Sequence, residues 1–403
     1  MADELTRSPS PPCRLLVVKS EQPIQLSQLL TAPAHSIINQ ASDSRLRLDA
    51  GSINADGFGV AWYGPHDDAS TPLGPCIFRS ITPAWSNSNL HRIAERVKSP
   101  LVFAHVRAST TGALSEENTH PWSYYNLVWM HKYDLPYSTL VTGCISEFRK
   151  IIRHLQADLS DEYFGVPQGN TDSEWAFACY LERLSKITDP KARTIPHQLL
   201  RQAMLETVQL ISSYTQRIGV TEPSLMNFCV SDGVSVVSTR YITSATEEVS
   251  RLGETFIVAT HVLSSSPLLP PLPQAASLFF STGSMFEEYE PGMFRMTKAD
   301  KRERIILIAS EPLTFERADW VEIPSQSLIV ITPQNNLLKY PIVDQFFQHH
   351  AVSVRSDRFA SRKGYRWNRT VPTANNNPPT TTTTPTTAGT GLGTQGNAVV
   401  APL

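Results

Sequence analysis

Cys13-Arg14-Leu15-Leu16-Val17-Val18-Lys19 is a short apolar run headed by one cysteine, with Pro11-Pro12 in front and Ser20-Glu21-Gln22-Pro23 behind. Leu, Leu, Val and Val between two turn-forming clusters predict a buried strand. A cysteine at the head of such a strand can be read in two ways. Unpaired Cys is among the most buried residue types and packs like a small hydrophobe. A thiol that can reach its thiolate form is also a nucleophile.

The surrounding chain has 403 residues, 41% hydrophobic and 18% charged, with a formal net charge of −2. That is ordinary soluble composition, enough for one large domain or two. Near-neutral charge gives no reason to expect a nucleic-acid or anionic-membrane partner. No segment reaches the ~20 uninterrupted apolar residues of a membrane helix. The first twelve residues lack the apolar core of a secretory signal. Cysteines 13, 76, 144, 179 and 229 are odd in number and dispersed. They fit a reducing, cytoplasmic setting rather than a disulfide frame, and they make no metal-binding spacing. The histidines do not pair at ligand spacing. No phosphate loop or dinucleotide fingerprint occurs, so neither a metal nor another cofactor is expected.

Residues 1–12 read as a flexible leader. After the Cys13 strand, a polar segment from Gln25 to Asp49 is expected to hold short helices. Asn54-Ala55-Asp56-Gly57-Phe58-Gly59-Val60-Ala61-Trp62-Tyr63 is a turn entering a strand. Gly57, Gly59 and Ala61 alternate along it, so either something passes close over one face or the strand packs tightly on a neighbour. Further strands are predicted at Cys76–Arg79, Leu101–Arg107 and Asn126–His131, with a helix over Asn89–Val97. Three helices follow, from Gly143 to about Leu155, Trp175–Leu184 and Ile195–Tyr214. Thr171-Asp172-Ser173-Glu174 resembles a capping box for the second of them. Strands return at Met226–Ser231, Gly233–Arg240, Thr255–Val262, Arg304–Ser310, Trp320–Ile323 and Ser327–Thr332, with Asp232-Gly233 as a hairpin turn. Strands on both sides of a helical middle predict an α+β fold of antiparallel sheets covered by helices, not βαβ units. From about Val354 a run of Arg and Lys precedes a segment rich in Asn, Pro, Thr and Gly, expected to be a disordered tail over 346–403.

Four pieces carry chemistry. They are the Cys13 strand, a strand ending His105-Val106-Arg107 before a Ser/Thr loop with Thr110, the turn Asn118-Thr119-His120-Pro121, and the helix start at Asp172. In this order they resemble the class II glutamine amidotransferases, which are N-terminal-nucleophile hydrolases. Pro33-Ala34-His35-Ser36-Ile37-Ile38-Asn39-Gln40, Asp43-Ser44-Arg45-Leu46, Asp56-Gly57-Phe58-Gly59 and Ala309-Ser310-Glu311-Pro312-Leu313 narrow the likeness. They are similar to the fungal amidotransferase-like subunit of the glutathione-degrading γ-glutamyl complex.

The resemblance implies a four-layer αββα sandwich over residues 13–345. It implies Cys13 as nucleophile, its own α-amino group as proton shuttle, and Gly143 as a backbone donor to the oxyanion. It implies Arg107 on the substrate α-carboxylate, Asp172 on its α-ammonium, and Thr110 and His120 lining the same pocket. Glutamine and glutathione both qualify as γ-glutamyl substrates. A metallopeptidase-like second subunit is the implied partner, and any metal would belong to it.

Two departures stand out. Twelve residues precede Cys13, so its nitrogen is a peptide amide unless they are removed or absent from the true product. The family's His-Asn-Gly reads here as His131-Lys132, then residues 133–142, then Gly143. Lys132 or Thr142 takes the place of the Asn, and the insert is either a surface loop or a retained intron. A γ-glutamyl amide hydrolase in glutathione breakdown is the first reading, and a catalytically impaired scaffold or regulatory subunit is the second. A papain-type Cys/His hydrolase lacks its local signature.

Overall fold

The computed structural model describes residues 13–42, 54–64, 74–108, 113–132, 145–244 and 277–347. All belong to one compact unit of the chain, Met1–Gln348. The expectations for the leader, the tail, the segment 133–142 and a strand at Thr255–Val262 lie outside the described residues.

The Cys13 run forms the head of β1 (Arg14–Gln25), longer than expected because the strand continues past Lys19 to Gln25 with a shift of register. β1 lies between β4 (Lys98–Val106) and β12 (Ile305–Ala309), antiparallel to both. Central placement explains the uninterrupted apolar run, since both faces of the strand are covered. Leu15 and Val17 enter one core while Leu16 and Val18 enter another. β2 (Phe58–Trp62), β3 (Cys76–Ser80), β9 (Phe279–Gly283) and β13 (Val321–Glu322) complete a seven-stranded sheet in the order β13-β9-β12-β1-β4-β2-β3.

A second, six-stranded sheet runs β15-β14-β8-β7-β6-β5. Its strands are β5 (Trp122–Tyr124), β6 (Leu127–Lys132), β7 (Asn227–Ser231), β8 (Val236–Arg240), β14 (Ser327–Ile331) and β15 (Leu337–Pro341). The two sheets bury Leu15, Val17, Phe103, Val128, Met130, Ile306, Ile308 and Ile329 between them. Outside the first sheet lie α1 (Leu26–Leu30), α2 (Ile37–Ser42) and α3 (Ser88–Arg96). Outside the second lie α4 (Phe148–Ala157), α5 (Asp161–Phe164), α6 (Asp172–Ser185) and α7 (His197–Arg217). Three stacked cores therefore separate four layers, helix–sheet–sheet–helix, which is the αββα sandwich expected above. A further two-stranded ribbon joins β10 (Met285–Glu290) to β11 (Met293–Thr297).

Two local expectations were refined. The helix read from Gly143 begins at Phe148, behind a left-handed Glu147. Thr171 caps α6 by accepting from the Glu174 N–H, but Glu174 does not close the box. Its carboxylate accepts instead from the Gln168 and Gly169 N–H groups, each at 2.8 Å.

Candidate active site

The antiparallel register brings the head of β1 to the end of β4, with Arg14 opposite Val106. Cys13 is buried there. Its Sγ accepts from the Ala108 N–H at 3.2 Å, and its S–H donates to the Ala108 carbonyl at 3.6 Å. Two other cysteines, Cys179 and Cys229, are also buried. Burial pushes the thiols of Cys179 and Cys229 up to about 12.

Arg107 is held by its backbone N–H on Gly57 O (2.9 Å), and its Nη1 donates to Ala113 O (3.4 Å). Burial lowers the pKa of its guanidinium, while the negative charges of Cys13 and Asp56 act in the opposite sense. Cys13 and Arg107 thus share one electrostatic environment. Strand alternation places His105 on the same face as Arg107, the face that Leu101 and Phe103 turn toward the second sheet.

His120 is sandwiched between His105 and Trp122, with ring centroids 4.1 Å away on each side. Burial pulls His105 down to about 3 and His120 well below its ordinary value, and the Arg107 charge adds to both effects. Both rings are therefore neutral at physiological pH. Their nitrogens have no hydrogen-bond partner among the described residues. The backbone of His120 explains the small residue at Gly59. A Cβ at that position would overlap the His120 carbonyl oxygen, so of the two sequence readings the close crossing is the correct one.

Asp172 is the first residue of α6, but Thr171 performs the capping. This leaves the Asp172 carboxylate to reach across the chain. Oδ2 accepts from the Ile145 N–H at 2.9 Å, and Oδ1 accepts from the Ser173 N–H at 2.8 Å. His131 stands beside it at the end of β6. Its Nε2 meets Leu225 O at 2.9 Å and its Nδ1 meets Ser173 Oγ at 2.8 Å. A carbonyl only accepts, so Nε2 carries the proton and Nδ1 accepts from the Ser173 hydroxyl. Burial lowers the pKa of His131 and the Asp172 charge opposes that shift. A proton on any one of His105, His120 and His131 would disfavour a proton on the others.

Thr110, Thr142 and Gly143 lie outside the described residues. Lys132 is buried, and its ammonium donates to Ser277 O at 2.6 Å. His105, Ser173 and Asp56 belong to this region, although sequence reasoning assigned them no role. His105 had a usable signal, since it lies two residues before Arg107 on a strand. Ser173 had none, because its meeting with His131 is tertiary. Among the described residues no three His, Cys, Asp or Glu side chains are grouped to hold a metal ion.

The fold is a helix–sheet–sheet–helix sandwich with the Cys13 strand at the centre of one sheet. The class-II glutamine amidotransferase family model matches residues 26–241, more than half of the chain. The chain is 46% identical over 360 residues to the probable glutamine amidotransferase DUG3 of Saccharomyces cerevisiae, covering 87% of this chain and 90% of that protein. A γ-glutamyl-hercynylcysteine sulfoxide hydrolase of Mycobacterium tuberculosis is 30% identical over 98 residues, 24% of this chain and 39% of its own. A class-II domain protein of Silicibacter pomeroyi superposes with a TM-score of 0.47 at 19% identity, over 82% of this chain and 100% of its own. The chain belongs to the class-II glutamine amidotransferases.

Proposed function

We propose that this protein is a γ-glutamyl amide hydrolase that uses Cys13 as an N-terminal nucleophile, acting in glutathione breakdown in the cytoplasm. The observation that carries the proposal is the position of Cys13 Sγ, within hydrogen-bonding reach of the residue that follows Arg107. The yeast relative's name supports amidotransferase-type chemistry. The mycobacterial relative's name supports hydrolysis of a γ-glutamyl bond.

The Cys13 thiolate attacks the γ-carbonyl carbon, and the C–N bond of the amide breaks. The α-amino group of Cys13, with an ordinary pKa of about 7.7–8.0, takes the thiol proton and returns it to the leaving amine. Water then hydrolyses the γ-glutamyl thioester and releases glutamate. This chemistry requires the bond before Cys13 to be cleaved, since a peptide nitrogen is not a base. Arg107 grips the substrate α-carboxylate, where a planar fork matches a planar anion. Asp172 holds the α-ammonium, while Thr110 and His120 line the pocket. The Gly143 N–H supports the oxyanion. A metallopeptidase-like second subunit would take the dipeptide released from glutathione. The alternative, an impaired scaffold or regulatory subunit, is favoured by Lys132 or Thr142 where the family has an amide side chain.

The test compares the full chain, a chain beginning at Cys13, and its Cys13→Ala variant, each with glutamine and with glutathione. Glutamate release is expected from the processed chain and not from Cys13→Ala. Folded, processed chain that releases none, alone or with the partner, would sink the proposal in favour of the scaffold.

A further inference from the structure

The residue next to the cysteine is tied down by a buried ion pair. Strand alternation sends Arg14 to the opposite face from Cys13, toward the layer that holds α2. There Arg14 Nη1 donates to Glu311 Oε1 at 2.6 Å, with the two side chains only 3% and 8% exposed. The backbone beside Glu311 is itself held in place. His35 Nδ1 donates to the carbonyl of Pro312, the residue after Glu311, at 2.6 Å. Gln40 Nε2, from α2, donates to His35 O at 3.0 Å and to Pro312 O at 3.3 Å. One residue further along β1, Leu15 is gripped twice by Ser310. The Ser310 N–H donates to Leu15 O at 2.9 Å, and the Leu15 N–H donates to Ser310 Oγ at 3.1 Å.

We infer that Glu311 is a positioning residue for Cys13, acting through the Arg14 guanidinium at the head of β1. The inference rests on reading Cys13 as the N-terminal nucleophile. A first residue is covalently held on one side only, and chain ends fray unless something ties them down. Catalytic geometry tolerates little play, and a misplacement of about 1 Å can cost 10²-fold in rate. A guanidinium–carboxylate bond is directional, so it fixes where the strand head points. Ser310 and Glu311 are neighbours in sequence. The same turn after β12 therefore holds two successive residues behind the nucleophile.

The test uses Glu311→Gln, Glu311→Asp and the double variant R14M/E311L, in the full chain and in the chain beginning at Cys13. The double variant leaves no unpaired buried charge, and apolar replacement of both partners is often tolerated. Glu311→Gln and R14M/E311L are expected to lower kcat at least roughly tenfold, with KM for the γ-glutamyl substrate nearly unchanged. Glu311→Asp is expected to recover part of the loss. Hydrogen exchange at residues 15–17 of the full chain should be faster in the double variant. A double variant that keeps wild-type kcat, exchanges at the wild-type rate or fails to fold would overturn the inference. If the wild-type chain hydrolyses no γ-glutamyl amide, the functional proposal fails on its own. Exchange at residues 15–17 then decides whether the pair holds the strand head.

Discussion

Lys19 shows how far a single residue can depart from its sequence reading. A lysine ending an apolar run looks like the point where a strand leaves the core. β1 instead continues to Gln25, and Lys19 stays buried. Its ammonium donates to Pro333 O at 3.2 Å and to Asn335 Oδ1, both neutral acceptors. Burial lowers its pKa to about 8, with the Asp232 charge pulling the other way. In the unfolded chain the amine holds its proton up to about 10.4. Between these values the folded state binds fewer protons than the unfolded state, so stability rises with pH across that window. Urea unfolding from pH 8 to pH 10 is expected to show this rise in the wild type and to lose it in Lys19→Met. Equal pH dependence in the two proteins would contradict the assignment.

Among elements, the long apolar and periodic ones were legible. The strands around Val17, Phe103 and Ile329 and the helices α3, α6 and α7 stand where the sequence predicts them. The ribbon β10–β11 was missed, because Glu287, Glu288 and Glu290 make a partly exposed strand look like a loop. β15 was missed because Lys339 and Pro341 disguise an edge strand, the place where such residues are tolerated. β2 carries the sharpest element-scale prediction. Gly59 lies under the His120 carbonyl and Gly57 adopts a φ of +100° beside Ser80 O. Backbone cannot move aside as a flexible side chain can. Gly59→Ala should therefore destabilise by about 3 kcal/mol or more, read as a lowered urea midpoint. The same substitution at Gly165, which has a φ of −80° and where an added Cβ would meet only ordinary contacts at 3.5 Å or more, is the control.

At the scale of the whole molecule, the buried imidazoles His105, His120 and His131 have lowered pKa values where the two sheets and α6 meet. In the unfolded chain each takes up a proton near pH 6.5. The folded protein resists that uptake, down to about 3 for His105. Stability is therefore full above pH 6.5 and falls as the pH drops below it. The limiting slope is about 1.4 kcal/mol per pH unit for each histidine. Unfolding followed from pH 7 to pH 4.5 should show that slope, and His105→Leu should make it shallower. A flat profile would mean that water reaches the rings.

Periodicity and turn residues by themselves determined most of the strands and helices and that the sheets are antiparallel, while the order of a few short motifs carried the resemblance to the amidotransferases. These are properties of neighbours along the chain, set by side-chain alternation and local backbone preference. Tertiary structure alone decided which strands flank β1. That choice brings Cys13 to Ala108, 95 residues away, and Arg14 to Glu311, 297 residues away. Such meetings depend on which faces can be buried together in three dimensions, and no local pattern records that.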